Sequence, residues 1–378
     1  MVLVVCVAAV MGVRAARVGA GPRSPTQRSA TQRSATQCTQ QSVIAQLPIR
    51  RRLAQMLMVG VDAHGPREAL AVVTSEQVGG VFLTGSATGL LSDNALAQVQ
   101  DIAVFPVAVA VDDEGGRVQR IDAPDGRLPS ARWMAANLPS EQVYELALTR
   151  GSRLRARGVT VDFAPSVDVS NQPDNAVIGD RSFSSDPQTV TRYAGAFAQG
   201  LRAAGVLPVF KHFPGHGRAT GDSHRGPIST PPLTELRDVD LLPYRQLLDG
   251  RPAAVMVGHL DVPGLTEPDT PASISPAALA LLRDQLHFTG MVVSDDLGAM
   301  AAITDRVDLP EAVRRSLTAG VDMALWVTKG RLTEILDHLE QAVAEGSLPQ
   351  PRVNDAVAHV LAAKAIDLCS AAYRTHRW

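Results

Sequence analysis

The sequence has few aromatic residues, few cysteines and almost no net charge. Aromatic residues make up 4% of its 378 positions, too few to build stacking platforms along the chain. The formal net charge is −2, so no basic excess indicates a nucleic-acid partner. Ala, Val and Leu dominate instead, which is typical of parallel strands covered by helices.

The three cysteines are Cys6, Cys38 and Cys369, and no C-x-x-C pair indicates zinc binding or redox chemistry. If Cys6 is removed or lipidated, the other two remain as a pair at the ends of the folded part. We therefore predict a disulfide between Cys38 and Cys369, which suits a protein outside the cell and not a reducing cytosol.

The first 40 residues differ in composition from the rest. Residues 1–11 are apolar, but they are too few to span a bilayer and lack the Lys or Arg that opens a secretory signal. Residues 3–6 loosely resemble a bacterial lipobox, which would make Cys6 a lipidation site. Residues 14–40 have few apolar side chains and an imperfect repeat, so they are predicted to be a flexible tether. We expect an exported protein of the cell envelope, lipid-anchored or secreted; an accidental apolar start with a tail of no role is the alternative.

Farther along, short apolar runs alternate with helix-length amphipathic segments. The eight runs are residues 56–61, 80–83, 105–111, 159–163, 206–210, 253–258, 291–293 and 321–327. The segments between them are residues 91–102, 141–157, 186–204, 233–248, 275–286 and 310–319. This alternation predicts a single (β/α)8 TIM-type barrel domain over residues 41–378, closed by helices at 332–345 and 353–366. A doubly wound open sheet is the alternative, because a pattern cannot prove that the sheet closes.

Ionisable residues cluster where the predicted strands end, which is the face that carries the active site in such barrels. The richest stretch is residues 211–224, Lys-His-Phe-Pro-Gly-His-Gly-Arg-Ala-Thr-Gly-Asp-Ser-His, a loop interrupted by glycines and a proline. Further groups stand at residues 112–120, 162–168, 180–181, 259–261 and 295–296. The opposite ends of the strands begin with Gly, Val and Pro, and this asymmetry predicts an enzyme.

Two positions are predicted to carry the chemistry. Asp295 ends an otherwise apolar strand and is the expected catalytic carboxylate, while Asp296 is expected to cap or orient. His224 lies two residues beyond Asp222, close enough for the carboxylate to hold the imidazole as a general acid/base. The structural alternative is a surface histidine paired with a local aspartate.

The remaining candidates are basic residues that could donate hydrogen bonds to a substrate: Lys211, His212, Arg120, Arg181 and Arg117. In isolation each arginine is more often a salt-bridge partner, and Arg117 is expected to pair with Glu114.

Two other classes of protein remain open on these residues. His212, His216, Asp222 and His224 could bind a metal, as in metal-dependent hydrolases on this fold, although no strand carries the His-x-His that such barrels commonly use. A non-catalytic sugar-binding lipoprotein is the third interpretation. Such proteins are usually two-lobed with aromatic platforms, so the sparse aromatic residues argue against it.

Residues 211–217 and 222–224 resemble the signature of bacterial β-N-acetylglucosaminidases of glycoside hydrolase family 3. Residues 111–120, 179–183 and 294–297 resemble other blocks of that family, with Asp113 where Gln is common. The similarity runs in order from about residue 53 to 327, and it is to the secreted or lipid-anchored type.

The resemblance implies a retaining exo-β-N-acetylglucosaminidase of cell-wall turnover. It would remove terminal N-acetylglucosamine from peptidoglycan fragments in which that sugar is linked to N-acetylmuramic acid. Asp295 would be the nucleophile and His224 the acid/base, with Asp222 as its partner. The residues that would hold the terminal sugar are Asp112, Arg120, Arg181, Lys211 and His212. The resemblance implies no metal and no organic cofactor, and we expect a monomer that acts on a small carbohydrate.

Overall fold

Eight short parallel strands form the centre of the molecule. The computed structural model describes residues 38–121 and 125–373. The strands are β1 (Leu57–Asp62), β2 (Gly80–Thr84), β3 (Ala108–Val111), β4 (Val161–Asp162), β5 (Leu207–Phe213), β6 (Ala254–Val257), β7 (Val292–Ser294) and β8 (Ala324–Trp326). Each lies within or overlaps one of the eight apolar runs, and nearly all their side chains are buried, as expected for strands covered on both faces.

The strands close into a barrel. Their order is β7-β6-β5-β4-β3-β2-β1-β8, with β1 paired to β8 in register Leu57 to Ala324. A parallel bridge between Val293 and Met323 then joins β7 to β8. The predicted (β/α)8 TIM-type barrel is therefore confirmed, and the open sheet is wrong.

Helices connect the strands around the outside. They are α1 (Gln40–Ile44), α2 (Ile49–Gln55), α3 (Arg67–Glu76), α4 (Ala95–Asp101), α5 (Ala131–Asn137), α6 (Ser140–Ala156), α7 (Pro187–Ala203), α8 (Leu233–Asp238), α9 (Leu241–Leu247), α10 (Pro276–Ala280), α11 (Ala301–Thr304), α12 (Leu309–Ala319), α13 (Leu332–Glu345) and α14 (Gln350–Ala363). Single 3₁₀ turns occur at Gly89–Leu91, Gly179–Arg181 and Ala272–Ile274, and a π-helical turn, Leu281–Gln285, follows α10.

Local sequence explains several helix boundaries. The side chains of Asp186 and Ser275 accept backbone N–H bonds at the starts of α7 and α10. The predicted segment 233–248 is two helices instead of one. Pro243 lies three residues into α9 and has no N–H with which to continue a helical ladder from α8.

The core has two layers. Inside the barrel, Phe82 and Phe163 stack with their ring centroids 5.2 Å apart, among the methionines and small apolar residues of the other strands. A larger apolar layer fills the space between the strands and the surrounding helices. Val360 and Ala363 of α14 pack against the inner layer and so close the barrel at the amino-terminal ends of its strands.

The two ends of the described chain meet at that amino-terminal face. The Lys364 ammonium donates to the Gly79 carbonyl, just before β2, and Gln40 bonds the backbone of Ile366 and Leu368. Cys38 and Cys369 are joined there by a disulfide, with their Cα atoms 5.8 Å apart. Cys6 and nearly all of the predicted tether lie outside the described residues. Within residues 38–121 and 125–373, no helix is long and apolar enough to cross a membrane.

Candidate active site

A cavity of about 350 Å³ opens at the carboxyl ends of the strands. Its wall includes seven of the eight residues predicted to be catalytic or substrate-binding, namely Asp112, Arg120, Arg181, Lys211, His212, His224 and Asp295. Asp222, the eighth, contacts Nδ1 of the His224 ring. Apolar residues, among them Phe82, Phe163 and Met256, form the rest of the lining. The cavity therefore combines an apolar floor with a ring of charged groups.

Asp295 follows β7 directly, and its N–H donates to the Val257 carbonyl of β6 at 3.0 Å. Its Oδ1 accepts the N–H of Asp296 at 2.9 Å, while Oδ2 has no hydrogen-bond partner among the described residues. Burial opposes ionisation of this carboxyl group, but the neighbouring His212, the Asp296 N–H bond and the Lys211 ammonium outweigh it and lower the pKa of Asp295. The side chain is thus an ionised carboxylate with one oxygen uncommitted.

Asp296 has a different environment. Its Oδ1 accepts the N–H groups of Gly298 at 2.9 Å and Val327 at 3.0 Å, which ties the loop after β7 to the end of β8. Burial raises the pKa of Asp296 to about 6. Both carboxylates therefore line the cavity, and Asp296 in addition holds the backbone of the two loops.

His224 and Asp222 form a pair on the long loop after β5. Asp222 Oδ1 accepts the backbone N–H of His224 at 3.0 Å and lies 3.1 Å from its Nδ1. Despite partial burial, these bonds lower the pKa of Asp222, so the carboxylate is ionised and orients the ring with Nδ1–H toward it. The His224 Nε2 atom is then left for a substrate. The His224 side chain is 66% exposed, as expected at the mouth of a cavity.

Backbone contacts hold this loop over the cavity. The Ala302 N–H donates to the Ser223 carbonyl at 2.9 Å, and Thr220 pairs with Ser229. At Gly217 the loop passes so close to the loop after β4 that a Cβ atom would lie 2.2 Å from the Val169 carbonyl oxygen. Only glycine permits this approach.

A network of charges lies on the β3 and β5 side of the cavity. Lys211 Nζ is 2.6 Å from Asp112 Oδ1 and 2.7 Å from Glu114 Oε1. Arg181 donates two hydrogen bonds to the same Glu114 carboxylate, at 2.9 and 2.7 Å. Burial opposes ionisation of Glu114, but Arg181 and Lys211 outweigh it and hold its pKa well below the usual range. Glu114 therefore fixes two of the predicted sugar-binding cations in place.

His212 is held by a buried carboxylate. Its Nδ1 lies 2.7 Å from Asp168 Oδ2, and its Nε2 lies 3.3 Å from Arg181 Nη2. The other Asp168 oxygen accepts the His216 N–H at 2.6 Å, so Asp168 holds the turn after β5 as well as the ring. Arg120, in contrast, approaches Asp112 only to 4.0 Å, and its buried Nε has no partner among the described residues. Arg120 thus keeps hydrogen-bonding capacity for a ligand.

The sequence alone does not identify two of these residues, and it assigns the wrong partner to Arg117. Glu114 and Asp168 were not recognised as supports, although both stand in the acidic stretches at strand ends. The predicted pair of Arg117 with Glu114 is wrong, because Arg117 contacts Asp180 and the carbonyls of residues 174 and 176–178. Arg181 reaches Glu114 instead.

The histidines of the long loop are not gathered as metal ligands. His212 and His216 share Asp168, whereas His224 pairs with Asp222. In the described part of the chain, the one group of three ligand-type residues within reach of a single ion is Asp322, Asp355 and His359. It lies at the far end of the barrel, and two arginines already bind Asp322. This geometry gives no support to the metal-dependent hydrolase.

Comparison with known proteins identifies the family. Residues 48–363 match the glycosyl hydrolase family 3 N terminal domain. The β-hexosaminidase LpqI of Mycobacterium tuberculosis is 51% identical over 355 residues, which cover 92% of this chain and 89% of that protein. The solved structure of M. tuberculosis LpqI superposes with a TM-score of 0.84 at 50% identity, covering 87% of this chain and 97% of that one.

A more distant structure gives the same result. A glycoside hydrolase family 3 β-N-acetylglucosaminidase from a Paenibacillus strain is 31% identical with a TM-score of 0.80, covering 84% of this chain and 62% of that one. These relatives confirm the predicted resemblance and the prediction of a glycoside hydrolase of the β-N-acetylhexosaminidase type. The chain belongs to glycosyl hydrolase family 3.

Proposed function

We propose that the protein is a retaining exo-β-N-acetylglucosaminidase that works through a covalent glycosyl-enzyme. The observation that carries this proposal is the presence of Asp295 and His224 in the wall of one small cavity. Asp295 offers an ionised, uncommitted oxygen, and His224 offers a ring nitrogen that its Asp222 partner leaves vacant. A nucleophilic carboxylate with a proton donor is what retaining hydrolysis requires.

In the first step, Asp295 Oδ2 attacks the anomeric carbon while the bond to the leaving oxygen breaks. Protonated His224 gives its Nε2 proton to that oxygen, and Asp222 stabilises the imidazolium through Nδ1–H. In the second step, neutral His224 takes a proton from water, whose oxygen attacks the anomeric carbon and releases Asp295. The imidazolium and the carboxylate are each restored at the end of the cycle.

The other cavity residues would hold the terminal sugar. Lys211, Asp112 and Arg181 are already fixed by one another and by Glu114, so they can bind hydroxyl groups without further ordering. The Arg120 side chain is 35% exposed and comes no closer than 4.0 Å to Asp112, so its guanidinium can donate to the sugar. A cavity of about 350 Å³ is at the small end of ligand sites, which suits one sugar ring and an exo-acting enzyme.

For the biological setting, we propose peptidoglycan fragments as substrate and a place outside the cytoplasm, in cell-wall turnover. The Cys38–Cys369 disulfide supports an oxidising compartment. Lipidation at Cys6 is part of this proposal, although Cys6 lies outside the described residues. A purified disaccharide of N-acetylglucosamine and N-acetylmuramic acid should be cleaved, and the matching β-glucoside should not.

A slow fluorinated N-acetylglucosaminide tests the mechanism. It should add the mass of one sugar to the peptide that contains Asp295, and Asp295→Asn should abolish the labelling. Asp296→Asn serves as the neighbouring control and should still be labelled. Labelling at Asp296, or turnover without any labelled enzyme, would refute the proposed nucleophile.

A further inference from the structure

The buried histidine after β6 contacts the backbone one residue beyond the proposed nucleophile. His259 is 1% exposed, and its Nε2 lies 2.9 Å from the carbonyl oxygen of Asp296. Its Nδ1 lies 2.6 Å from Oγ of Ser273, which is fully buried. Both ring nitrogens are therefore engaged, and the ring has no room to bond anything else.

These partners fix the tautomer. A carbonyl oxygen can only accept, so Nε2 must carry the proton and donate it to Asp296. Burial lowers the pKa of His259, so the ring is neutral and its Nδ1 is an acceptor. Ser273 Oγ–H must then donate to Nδ1. The Ser273 backbone is itself held, because its carbonyl accepts the Ser316 hydroxyl of α12 at 2.9 Å.

We infer that His259 is a positioning residue for Asp295. The inference rests on the nucleophilic role proposed above for Asp295. The backbone around that residue is fixed on one side by its N–H bond to Val257 and on the other by the bond from His259 to the Asp296 carbonyl. Together the two bonds hold the backbone whose Asp296 N–H in turn binds Oδ1 of Asp295, and so position the carboxylate in the cavity.

Loss of the hydrogen bond from His259 should affect the rate at which Asp295 attacks and not the binding of the sugar. A nucleophile must stand about 3–3.5 Å from the carbon it attacks, and a displacement of about 1 Å costs up to about 100-fold in rate. His259 itself does not line the cavity, whereas Asp295 does. Loss of its hydrogen bond should therefore slow the attack without weakening the hold on the sugar.

The test measures how fast the fluorinated N-acetylglucosaminide labels Asp295, with the limiting rate and the half-saturating concentration determined separately. This substrate carries an activated leaving group, which departs without protonation. The labelling rate therefore does not depend on His224. His259→Leu removes the donor and should lower the limiting rate about 10- to 100-fold at an unchanged half-saturating concentration. His259→Gln can still donate an amide N–H and should recover most of the rate.

Two further variants separate positioning from stability. Ser273→Ala leaves the bond to Asp296 but frees the ring, so labelling should slow about 3- to 10-fold, the rate equivalent of one ordinary hydrogen bond. Thr160→Val deletes a half-buried hydroxyl that accepts the Val109 N–H at the opposite end of the barrel, and should lower the melting temperature but not the rate.

The outcomes are distinguishable. Folded His259→Leu that labels at the unchanged rate, or Thr160→Val that slows as much as His259→Leu, overturns the inference. If His259→Leu does not fold, an unchanged rate in Ser273→Ala overturns it. Unmodified enzyme that carries no label on Asp295 refutes the proposed nucleophile first, and the inference with it.

Discussion

Two aspartate–histidine pairs in this chain have the same local geometry but different surroundings. Asp62 with His64, and Asp222 with His224, each join the histidine N–H and Nδ1 to a single carboxylate oxygen two residues earlier. Only His224 lies in the cavity wall with Asp295. The motif therefore does not make an acid/base by itself, since its position relative to the carboxylate decides the function.

The division of labour in this pair is open to test. We expect His224→Ala to cripple cleavage of a natural disaccharide, because its leaving oxygen needs a proton. The first step on a nitrophenyl glycoside should be spared, because nitrophenolate leaves without one. General acid/base catalysis contributes about 10²–10⁴-fold, so the difference between the two substrates should be of that order. Azide, a nucleophile that needs no base, should rescue the second step.

His64→Ala is the matched control for this measurement. It removes a histidine with the same aspartate contact, 83% exposed and outside the cavity, and should leave both substrates unaffected. Equal loss of both substrates in His224→Ala, with no effect of azide, would make His224 a binding residue. His216 would then be the next candidate for the acid/base.

His216 provides a pH-dependent prediction. Burial, aided by the nearby His212, lowers the pKa of His216 from 6.5 to about 4. The folded protein therefore binds fewer protons than the unfolded chain between these values. Its contribution to stability is complete above pH 6.5 and is lost as the pH falls toward 4, by about 3 kcal/mol in total. Urea unfolding across this range measures it.

The comparison must be made against His216→Gln, because other groups titrate in the same window. Burial raises the pKa of Asp240 and Asp296 to about 6. Their contributions to the free energy of unfolding therefore rise as the pH falls. Subtracting the two stability curves cancels these groups. A difference that does not change between pH 6.5 and 4 would show that His216 stays solvated in the folded protein.

At the scale of elements, the sequence predicted which strand ends carry chemistry but not how their side chains pair. The eight apolar runs located the strands, and their carboxyl ends gave Asp112, Lys211 and Asp295 directly. The supports Glu114 and Asp168 could not be identified, because their partners come from other loops, 97 and 44 positions away for Lys211 and His212. Such pairings depend on which strands lie side by side in the sheet and how their ends align, which no local pattern encodes.

The ion pair between α6 and the loop after β3 is another pairing that the sequence could not predict. Asp113 stands where the resembled family commonly has Gln, and it is buried in a two-pronged ion pair with Arg150 of α6. We expect Arg150→Leu to reduce the free energy of unfolding by about 3–5 kcal/mol, because it leaves Asp113 buried without its counter-charge. Chemical denaturation provides the measurement.

The double variant Asp113→Leu/Arg150→Leu should recover part of this loss, since no charge is then stranded. Arg153→Ala is the control on the same helix, because the Arg153 side chain is exposed and, among the described residues, donates to the Asp125 carbonyl alone. It should change stability by less than about 0.5 kcal/mol. Strictly additive losses in the double variant would contradict the pairing.

For the whole molecule, the Cys38–Cys369 disulfide closes a loop of 331 positions. A cross-link over so long a loop restricts the unfolded chain, which is worth about 5 kcal/mol in the chain-entropy description and often less in practice. We expect Cys369→Ser to lower the melting temperature and leave the rate at 25 °C unchanged, because the bond is remote from the cavity.

Cys38→Ser and the double variant should match Cys369→Ser, since each removes the same cross-link. Reducing agent should lower the melting temperature of the unmodified protein to the same value and leave the variants unaffected. A further drop in the double variant would indicate that the cysteines contribute separately and not through one bond.

The position of this bond also identifies a face of the barrel at which the enzyme could be attached to a support. The chain enters the barrel at Cys38, beside α14 and the amino-terminal strand ends, whereas the cavity opens at the other end. A bead or carrier bound directly at this face would therefore lie at the end of the barrel that lacks the cavity. The cavity would then open on the side of the barrel opposite the support.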